Sequence, residues 1–262
     1  MLDFATLARL RVTFDEIADL YDQARPGYPE PVIAQLSRVA GLNSHSRILE
    51  VGCGTGQATR SLAALGCLIT AVELGGDLAR VAAARLAVFD KVRVENARFE
   101  EWNLPDERFD MVLSASAFHL LNPYVRIAKP ADALHAGGTL GILQSYHVPG
   151  GTEEFFNDLN GCYSLIGQEP NEPIAHAAIP DNRIEIDASP LFGDVRIHCH
   201  EWEHDYTTDQ YIALLRTFSD HRVRSIEERQ ILESAIRELI DDVYAGSITK
   251  RYLTQLQTAR RV

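Results

Sequence analysis

Apolar and polar positions change rhythm twice along this chain. The first forty residues follow a helical period punctuated by Pro26, Pro29 and Pro31, and Pro31 sits well in the opening turn of a helix. Pro31–Ala40 (PVIAQLSRVA) keeps apolar residues at helical spacing until Gly41 stops it. From Arg47 short apolar runs alternate with helical stretches. Arg47–Val51 predicts a strand ending on a glycine cluster, Thr55–Leu65 a helix closing at Gly66, and Cys67–Glu73 (CLITAVE) a β-branched strand. Asp77–Ala87 predicts an alanine-rich helix with Asp77 as its cap, Lys91–Glu95 a short strand, and Phe109–Ser114 (FDMVLS) another. A helical stretch is then expected to run to Gly137 and Gly138, followed by a fifth strand over Thr139–Tyr146.

After Tyr146 the alternation breaks. Glu153–Ile166 predicts a helix, residues 167–190 a proline-rich loop, and Val195–Tyr206 a strand. Asp209–Phe218 and Ile226–Tyr244 read as amphipathic helices, and Ile248–Ala259 as a last strand. Strands alternating with helices imply right-handed βαβ units covered on both faces. The expected fold is therefore α/β: a doubly wound, Rossmann-like sheet of seven strands, mostly parallel, with a helical cap inserted between the late strands. Residues 1–146 would hold the N-terminal helices and a cofactor-binding core. Residues 147–262 would supply the cap helices and final strands of the same domain, over a site at the strand C-termini.

Charge and composition remove several classes of function. Twenty-five basic against thirty-seven acidic residues give a net charge of −12, which repels a phosphate backbone, so no nucleic acid is expected as partner. Arg85, Lys91, Arg93 and the group Lys250, Arg251, Arg260 and Arg261 read as solvated faces. No apolar run approaches the roughly 20 residues that span a bilayer, and no basic, apolar and cleavage regions follow one another at the N-terminus. Cys53, Cys67, Cys162 and Cys199 show no Cys-x-x-Cys spacing, and scattered thiols suit a reducing cytoplasm.

The chemistry concentrates at Ile48–Gln57 (ILEVGCGTGQ), where a strand turns into a helix. Gly52 and Gly54 lack Cβ atoms, so the backbone can turn tightly and let a ligand press against it, while the helix start offers free N–H groups. A dinucleotide loop would read G-x-G-x-x-G; here the third glycine, Gly56, comes one residue early. Glu50, two residues before the first glycine, would repel a pyrophosphate but suits a ligand with a cationic amino group. Glu73, ending the next strand, stands where a carboxylate accepts both ribose hydroxyls of a nucleoside.

Glu50–Gly56 matches the E/D-x-G-x-G-x-G signature of the class I S-adenosylmethionine-dependent methyltransferases, which this chain resembles over about Phe14–Tyr146. Phe109–Ser114 resembles that family's fourth-strand motif, and Leu134–Leu143 (LHAGGTLGIL) its L-x-x-G-G-x-L/F fifth-strand motif. The resemblance implies S-adenosyl-L-methionine as cofactor. Gly52, Cys53 and Gly54 would approach its methionine part, Glu50 its ammonium, and Glu73 its ribose. Leu74 would lie beside the adenine, Phe99 would present its amide to the ring edge, Gln57 would sit at the helix start, and Ser114, closing the fourth-strand motif, would also face the cofactor. Arg98 stands where the family often has an Asp accepting from the adenine amino group; Arg cannot accept, so Glu100 or a carbonyl would take that place.

Tyr21–Pro29 (YDQARPGYP) resembles the Y-x-x-x-R-P-x-Y-P segment of a bacterial small-molecule branch, similar to trans-aconitate and juvenile-hormone-acid methyltransferases, which implies that Tyr21 and Arg25 close over the cofactor. Ala117–Leu120 resembles that branch's A-F-H-W element with Leu120 in place of Trp, and implies that His119 faces the transferring methyl and orients the acceptor or takes its proton. In that branch the region holding Tyr211, Arg216 and Thr217–Ser219 looks down on the acceptor, where Arg216 could pair with a carboxylate. His198, His200 and His204 share one strand face by parity, but no carboxylate or cysteine stands at ligand spacing, and no metal is expected. The expected activity is methyl transfer to an O, N or C nucleophile of a small molecule. The residues alone leave open a nicotinamide-dependent oxidoreductase, and a non-catalytic protein that kept the cofactor pocket.

Overall fold

The computed structural model describes residues 13–170, 172–180 and 183–262. Its centre is one seven-stranded sheet in the order β3-β2-β1-β4-β5-β7-β6. The strands are β1 Arg47–Val51, β2 Leu68–Glu73, β3 Val92–Asn96, β4 Phe109–Ala115, β5 Leu134–Gly151, β6 Phe192–Thr207 and β7 Ser247–Arg261. β1 to β5 run parallel, and β7 is antiparallel to both β5 and β6. The order reverses between β1 and β4, so the chain leaves a crevice at the C-terminal ends of those two strands.

The helices that matter for the crevice are α1 Ala18–Ala24, α2 Glu30–Ala40, α3 Gln57–Ala63, α4 Gly76–Leu86, α5 Glu153–Ser164, α6 Thr208–Leu215 and α7 Ile226–Glu238. Successive residues of β1 face opposite layers. Ile48 packs with Val32, Leu36, Leu62 and Met111, and Leu49 with Val112, Leu140 and Ile142. Burial on both faces is why β1 is apolar past Arg47 except at Glu50.

Three local expectations change. The helix expected between β4 and β5 shrinks to a 3-10 turn, Phe118–Leu120, and a six-residue helix, Ala128–Ala133. The glycines assigned to its end lie inside β5 instead. Gly137 has φ +79° and a Cβ on Gly138 would stand 3.0 Å from the His135 carbonyl oxygen, where the pairing with β4 slips between Phe109 and Met111. The pair makes a bulge, not a helix stop. Asp77 is not the cap of α4. Gly75 is, and the helix N–H of Leu78 donates to the carboxylate of Asp15 (2.9 Å) from the chain ahead of α1. The helix expected over Ile226–Tyr244 keeps α geometry to Glu238 and widens to a π turn over Leu239–Val243.

The late strands are long because they do two jobs. β5 pairs with β4 only as far as Leu143, and its remainder pairs with β7 alone. The division expected at residues 146/147 falls inside this strand. On the projecting ribbon sits a second core, in which α5, α6 and α7 gather Phe155, Leu159, Tyr211, Ile212, Leu232 and Ile236 against Tyr206, Ile248 and Tyr252. Capping boxes at Thr207/Gln210 and Ser225/Glu228 fix where α6 and α7 begin. Phe155 is the hub of this core: it is fully buried, with edge-on contacts to Phe156, Tyr211 and Tyr244 at 5.1, 5.2 and 5.5 Å. Phe155→Ala is expected to lower unfolding stability by about 3–5 kcal/mol in urea titrations; a loss under about 1 kcal/mol would mean the cap core collapses around the gap.

Candidate functional site

Three glycines make the turn from β1 into α3, each with positive φ: Gly52 (+71°), Gly54 (+58°) and Gly56 (+92°). A Cβ on Gly52 would stand 2.6 Å from Cβ of Ala117, so the loop lies against the β4 connection as closely as backbone can. The loop floors a crevice of about 390 Å³. Of the residues singled out in the sequence, Tyr21, Arg25, Glu50, Gly52, Cys53, Gly54, Gln57, Glu73, Leu74, Phe99 and His119 all line it.

Arg98 and Ser114 do not. Arg98 turns outward to Glu101 (3.3 Å), and Glu100 lines the crevice in its place. Ser114 is buried and donates to the Val51 carbonyl (3.1 Å), a strut between β4 and β1. Ser116, with φ +55°, turns into the crevice and shares a 2.8 Å hydrogen bond with the Tyr28 hydroxyl.

Two carboxylates sit at the strand ends, and neither makes an ion pair among the described residues. Glu50 is 1% exposed and accepts from Thr59 Oγ1 (2.7 Å); burial, with the Glu73 charge adding to it, pushes its pKa up to about 8. Glu73 is raised by burial too, against the pull of its backbone donors Gly54 (2.9 Å to Oε2) and Gly75 (2.9 Å to Oε1). Each Glu73 oxygen thus spends one acceptor site on the backbone and keeps capacity for another donor. Such a pair favours a ligand that brings positive charge and hydroxyl donors. His119, in the turn after β4, is lowered by burial and then by the Arg126 charge, against a hydrogen bond with Gln144, so its imidazole is neutral near pH 7.

The cap wall was largely hidden from the sequence. Lys250, assigned there to a solvated face, is 6% exposed and lines the crevice together with His147, Trp202, Phe218 and Tyr252. The signal was parity: Ile248, Lys250 and Tyr252 share one strand face, and both apolar neighbours are buried. Arg25 reaches the cap as well, donating from Nε to Thr217 Oγ1 (2.8 Å) and from Nη2 to the Thr217 carbonyl (3.2 Å). Arg216, which could have paired with an acceptor's carboxylate, instead forms a two-pronged pair with Glu233 on α7 (2.8 and 2.5 Å), outside the crevice, and Tyr211 is packed in the cap core. Of the strand face expected to carry three histidines, Trp202 reaches the crevice; His198 meets Gln35 (3.5 Å) instead. Among the described residues no group of three His, Cys, Asp or Glu side chains converges as a metal site would require.

Comparison with known proteins bears on this geometry. A family model described as a methyltransferase domain matches residues 48–138. An uncharacterized methyltransferase of Mycobacterium tuberculosis is 31% identical over 210 residues, 80% of this chain and 78% of the relative. A demethylmenaquinone methyltransferase of Tropheryma whipplei is 26% identical over 147 residues, 53% of this chain and 60% of its own. In fold, the chain superimposes on phosphoethanolamine N-methyltransferase 2 of Haemonchus contortus, solved with S-adenosyl-L-methionine, at a TM-score of 0.56 and 19% identity, covering 100% of this chain and 60% of that one.

The burial of Glu50 sets a pH dependence. Its folded pKa, about 8, lies above its ordinary 4.5, so the native state holds a proton that the unfolded chain releases over that interval. The contribution is complete below pH 4.5 and is lost as pH rises towards 8. Ligand-free Glu50→Gln, which keeps the Thr59 bond, should therefore melt less pH-dependently from pH 5 to 8 and be about 1–3 kcal/mol more stable than wild type at pH 8. Parallel melting curves for the two proteins across that range would contradict the burial assigned to this carboxyl.

Proposed function

The chain belongs to the class I S-adenosylmethionine-dependent methyltransferase family, and on that premise we propose that it methylates a small molecule held between the glycine loop and the cap. The observation that carries the reading is the pair of buried, ion-pair-free carboxylates, Glu50 and Glu73, flanking a loop whose backbone a ligand can touch. A nicotinamide dinucleotide would set its pyrophosphate where Glu50 stands. A sulfonium nucleoside sets an ammonium there, and its ribose at Glu73.

The remaining roles follow from the lining. Leu74 and Phe99 supply apolar surface for the adenine, and Glu100 takes the place beside it that Arg98 leaves. Arg25, braced by Thr217, is the cation available to the cofactor's carboxylate, and Tyr21 closes the same side. Gly52, Cys53, Gly54 and Gln57 shape the floor. Ser114 acts as the strut beneath it.

When bound, S-adenosylmethionine supplies a methyl group on a sulfonium, lost to a nucleophile with a neutral thioether as leaving group. What the protein contributes is mostly placement and the exclusion of water. The cap, the Tyr21–Arg25 segment and the β4 connection enclose the reacting atoms. His119 is neutral, held by Gln144, and stands ready to orient an O–H or N–H acceptor and take its proton. A crevice of about 390 Å³ is in the range of small-molecule sites. A cytoplasmic setting is supported by four cysteines that are all free thiols, Cys199 exposed. Among the described residues no helix is long and apolar enough to cross a membrane.

Calorimetry with S-adenosylhomocysteine tests the assignment. Glu73→Ala should weaken binding about tenfold or more, and unchanged affinity would remove the ribose role. Because Glu50 must shed its proton to meet the ammonium, wild-type affinity should rise from pH 6 to about 7.5, by up to about tenfold per unit, with proton release visible across buffers of different ionisation enthalpy. Affinity independent of pH would separate Glu50 from the ligand. His119→Ala should cut transfer of labelled methyl into a metabolite extract by about 100-fold while leaving S-adenosylhomocysteine affinity intact; undiminished turnover would end the proton-transfer role.

A further inference from the structure

The cap end of the crevice holds a charge that the cofactor assignment does not use. Lys250 projects from β7 with 6% exposure, and among the described residues it makes neither an ion pair nor a hydrogen bond. Its Nζ lies 5.5 Å from the ring centre of Phe218 and 5.4 Å from that of Tyr252. The Arg25 guanidinium stands over the same Phe218 ring at 4.5 Å. Two cations therefore share one aromatic ring with no carboxylate in contact with Lys250. Asp220 is near enough for its charge to be felt there but pairs with Arg224 (4.0 Å). Burying an ammonium with no carboxylate in contact is unfavourable, and burial with the Arg25 charge outweighs the pull of Asp220 and draws its pKa down to about 7. A fold keeps such a group where a ligand supplies the missing charge.

The surroundings narrow that ligand. His147, opposite Tyr252 across the β5–β7 pairing, lines the same crevice, and its buried Nε2 has no hydrogen-bond partner. Burial and the Lys250 charge hold it neutral, with its pKa drawn down to about 3. An ammonium and an imidazole can both donate to the two oxygens of one monoanion. A phosphate is held best by a guanidinium fork or a row of backbone N–H groups, and Arg25, the arginine that lines the crevice among the described residues, has Nε and Nη2 on Thr217 and its free side assigned to the cofactor. Beside these donors Trp202 stacks on Tyr252 (4.7 Å between centres, 20° between planes), and Leu214 and Phe218 complete an apolar wall.

We infer that the methyl acceptor is a small, partly apolar carboxylic acid whose carboxylate docks on Lys250 and His147 and whose reacting atom is a different one. Resting on the methyltransferase reading of the crevice, the inference separates anchor from nucleophile on two grounds. Gln144, which holds His119, pairs with Gln255, five positions from Lys250 on β7, so His119 and Lys250 stand at different levels of the crevice. A carboxylate whose lone pairs are engaged by an ammonium and an imidazole is also a poor nucleophile. Lys250 is thus a positioning residue: it selects the acceptor and sets which atom reaches His119.

The test uses the protein saturated with S-adenosylhomocysteine and three probes that share one ring: benzoate, benzyl alcohol and phenyl phosphate. Wild type should bind benzoate about tenfold or more tightly than either of the others by calorimetry, and Lys250→Met should lose that preference. The Met variant, which removes an unpaired buried charge at similar volume, should melt no lower than wild type and bind S-adenosylhomocysteine within about twofold. Lys250→Arg, which keeps the charge, should retain part of the preference. Equal binding of benzoate and benzyl alcohol to wild type, or a preference surviving in Lys250→Met, would overturn the anchor. Tighter binding of phenyl phosphate would replace the carboxylate with a phosphate and overturn it too. Tenfold weaker S-adenosylhomocysteine binding by the Met variant would assign Lys250 to the cofactor's own carboxylate instead. Failure of wild type to bind S-adenosylhomocysteine at all would sink the reading of the crevice itself, a result separable from any failure of benzoate.

Discussion

The rest of the site depends on one unfavourable burial: the Glu50 carboxyl at the end of β1, enclosed in the sheet with Thr59 Oγ1 as its hydrogen-bond donor. A carboxyl taken out of water raises its pKa until a positive partner arrives. The Gly52–Gly56 turn gives the partner access, because backbone without Cβ atoms can lie against it. Glu73 at the end of β2, held by Gly54 and Gly75 N–H groups, completes the arrangement from the neighbouring strand. The β1–β2 register pairs Glu50 with Ala71, so Glu73 stands two positions further along the neighbouring strand, towards the glycine turn.

Binding and enclosure are built from different parts of the chain but meet at one contact. Arg25, at the end of α1, donates to Thr217 at the end of α6 and stacks on Phe218. The N-terminal segment and the cap thus close the crevice together. The cap can stand there because β5, β6 and β7 extend past the parallel part of the sheet and carry their own aromatic core. The crevice is consequently polarised: carboxylates at the loop end, cations and aromatic rings at the cap end. A zwitterionic cofactor and an anionic acceptor would each find opposite charge without competing for the same groups.

Much of the fold was legible because it is written in local patterns. The strand–helix alternation, the stop at Gly41, the glycine spacing after β1 and the acids at Glu50 and Glu73 each follow from neighbours within a few residues. Burial of strands on both faces makes their sequence apolar, and a tight turn against a neighbouring chain demands glycine. Those constraints act on the residue itself, so the residue type reports them. The same holds in part for Tyr21, Arg25 and His119, whose flanking sequence marked them before any contact was seen.

Contacts between distant segments decided the rest. Whether Arg216 faces an acceptor or Glu233 depends on where α7 packs, and the sequence around Arg216 carries no trace of it. Asp15, not Asp77, accepts from the first turn of α4 because the chain ahead of α1 folds across that helix end. Arg98 turns outward and Ser114 inward for reasons set by neighbouring strands and loops. Lys250 shows the difference most sharply. Its strand, its parity and its charge stood in the sequence, but its burial among Phe218, Tyr252 and Arg25 exists only once β5, β7 and the cap are assembled. By itself the sequence determined the architecture and the cofactor-facing loop, because backbone geometry constrains residue type directly. The tertiary structure decided which charges face one another, because desolvation and pairing depend on segments far apart in the chain.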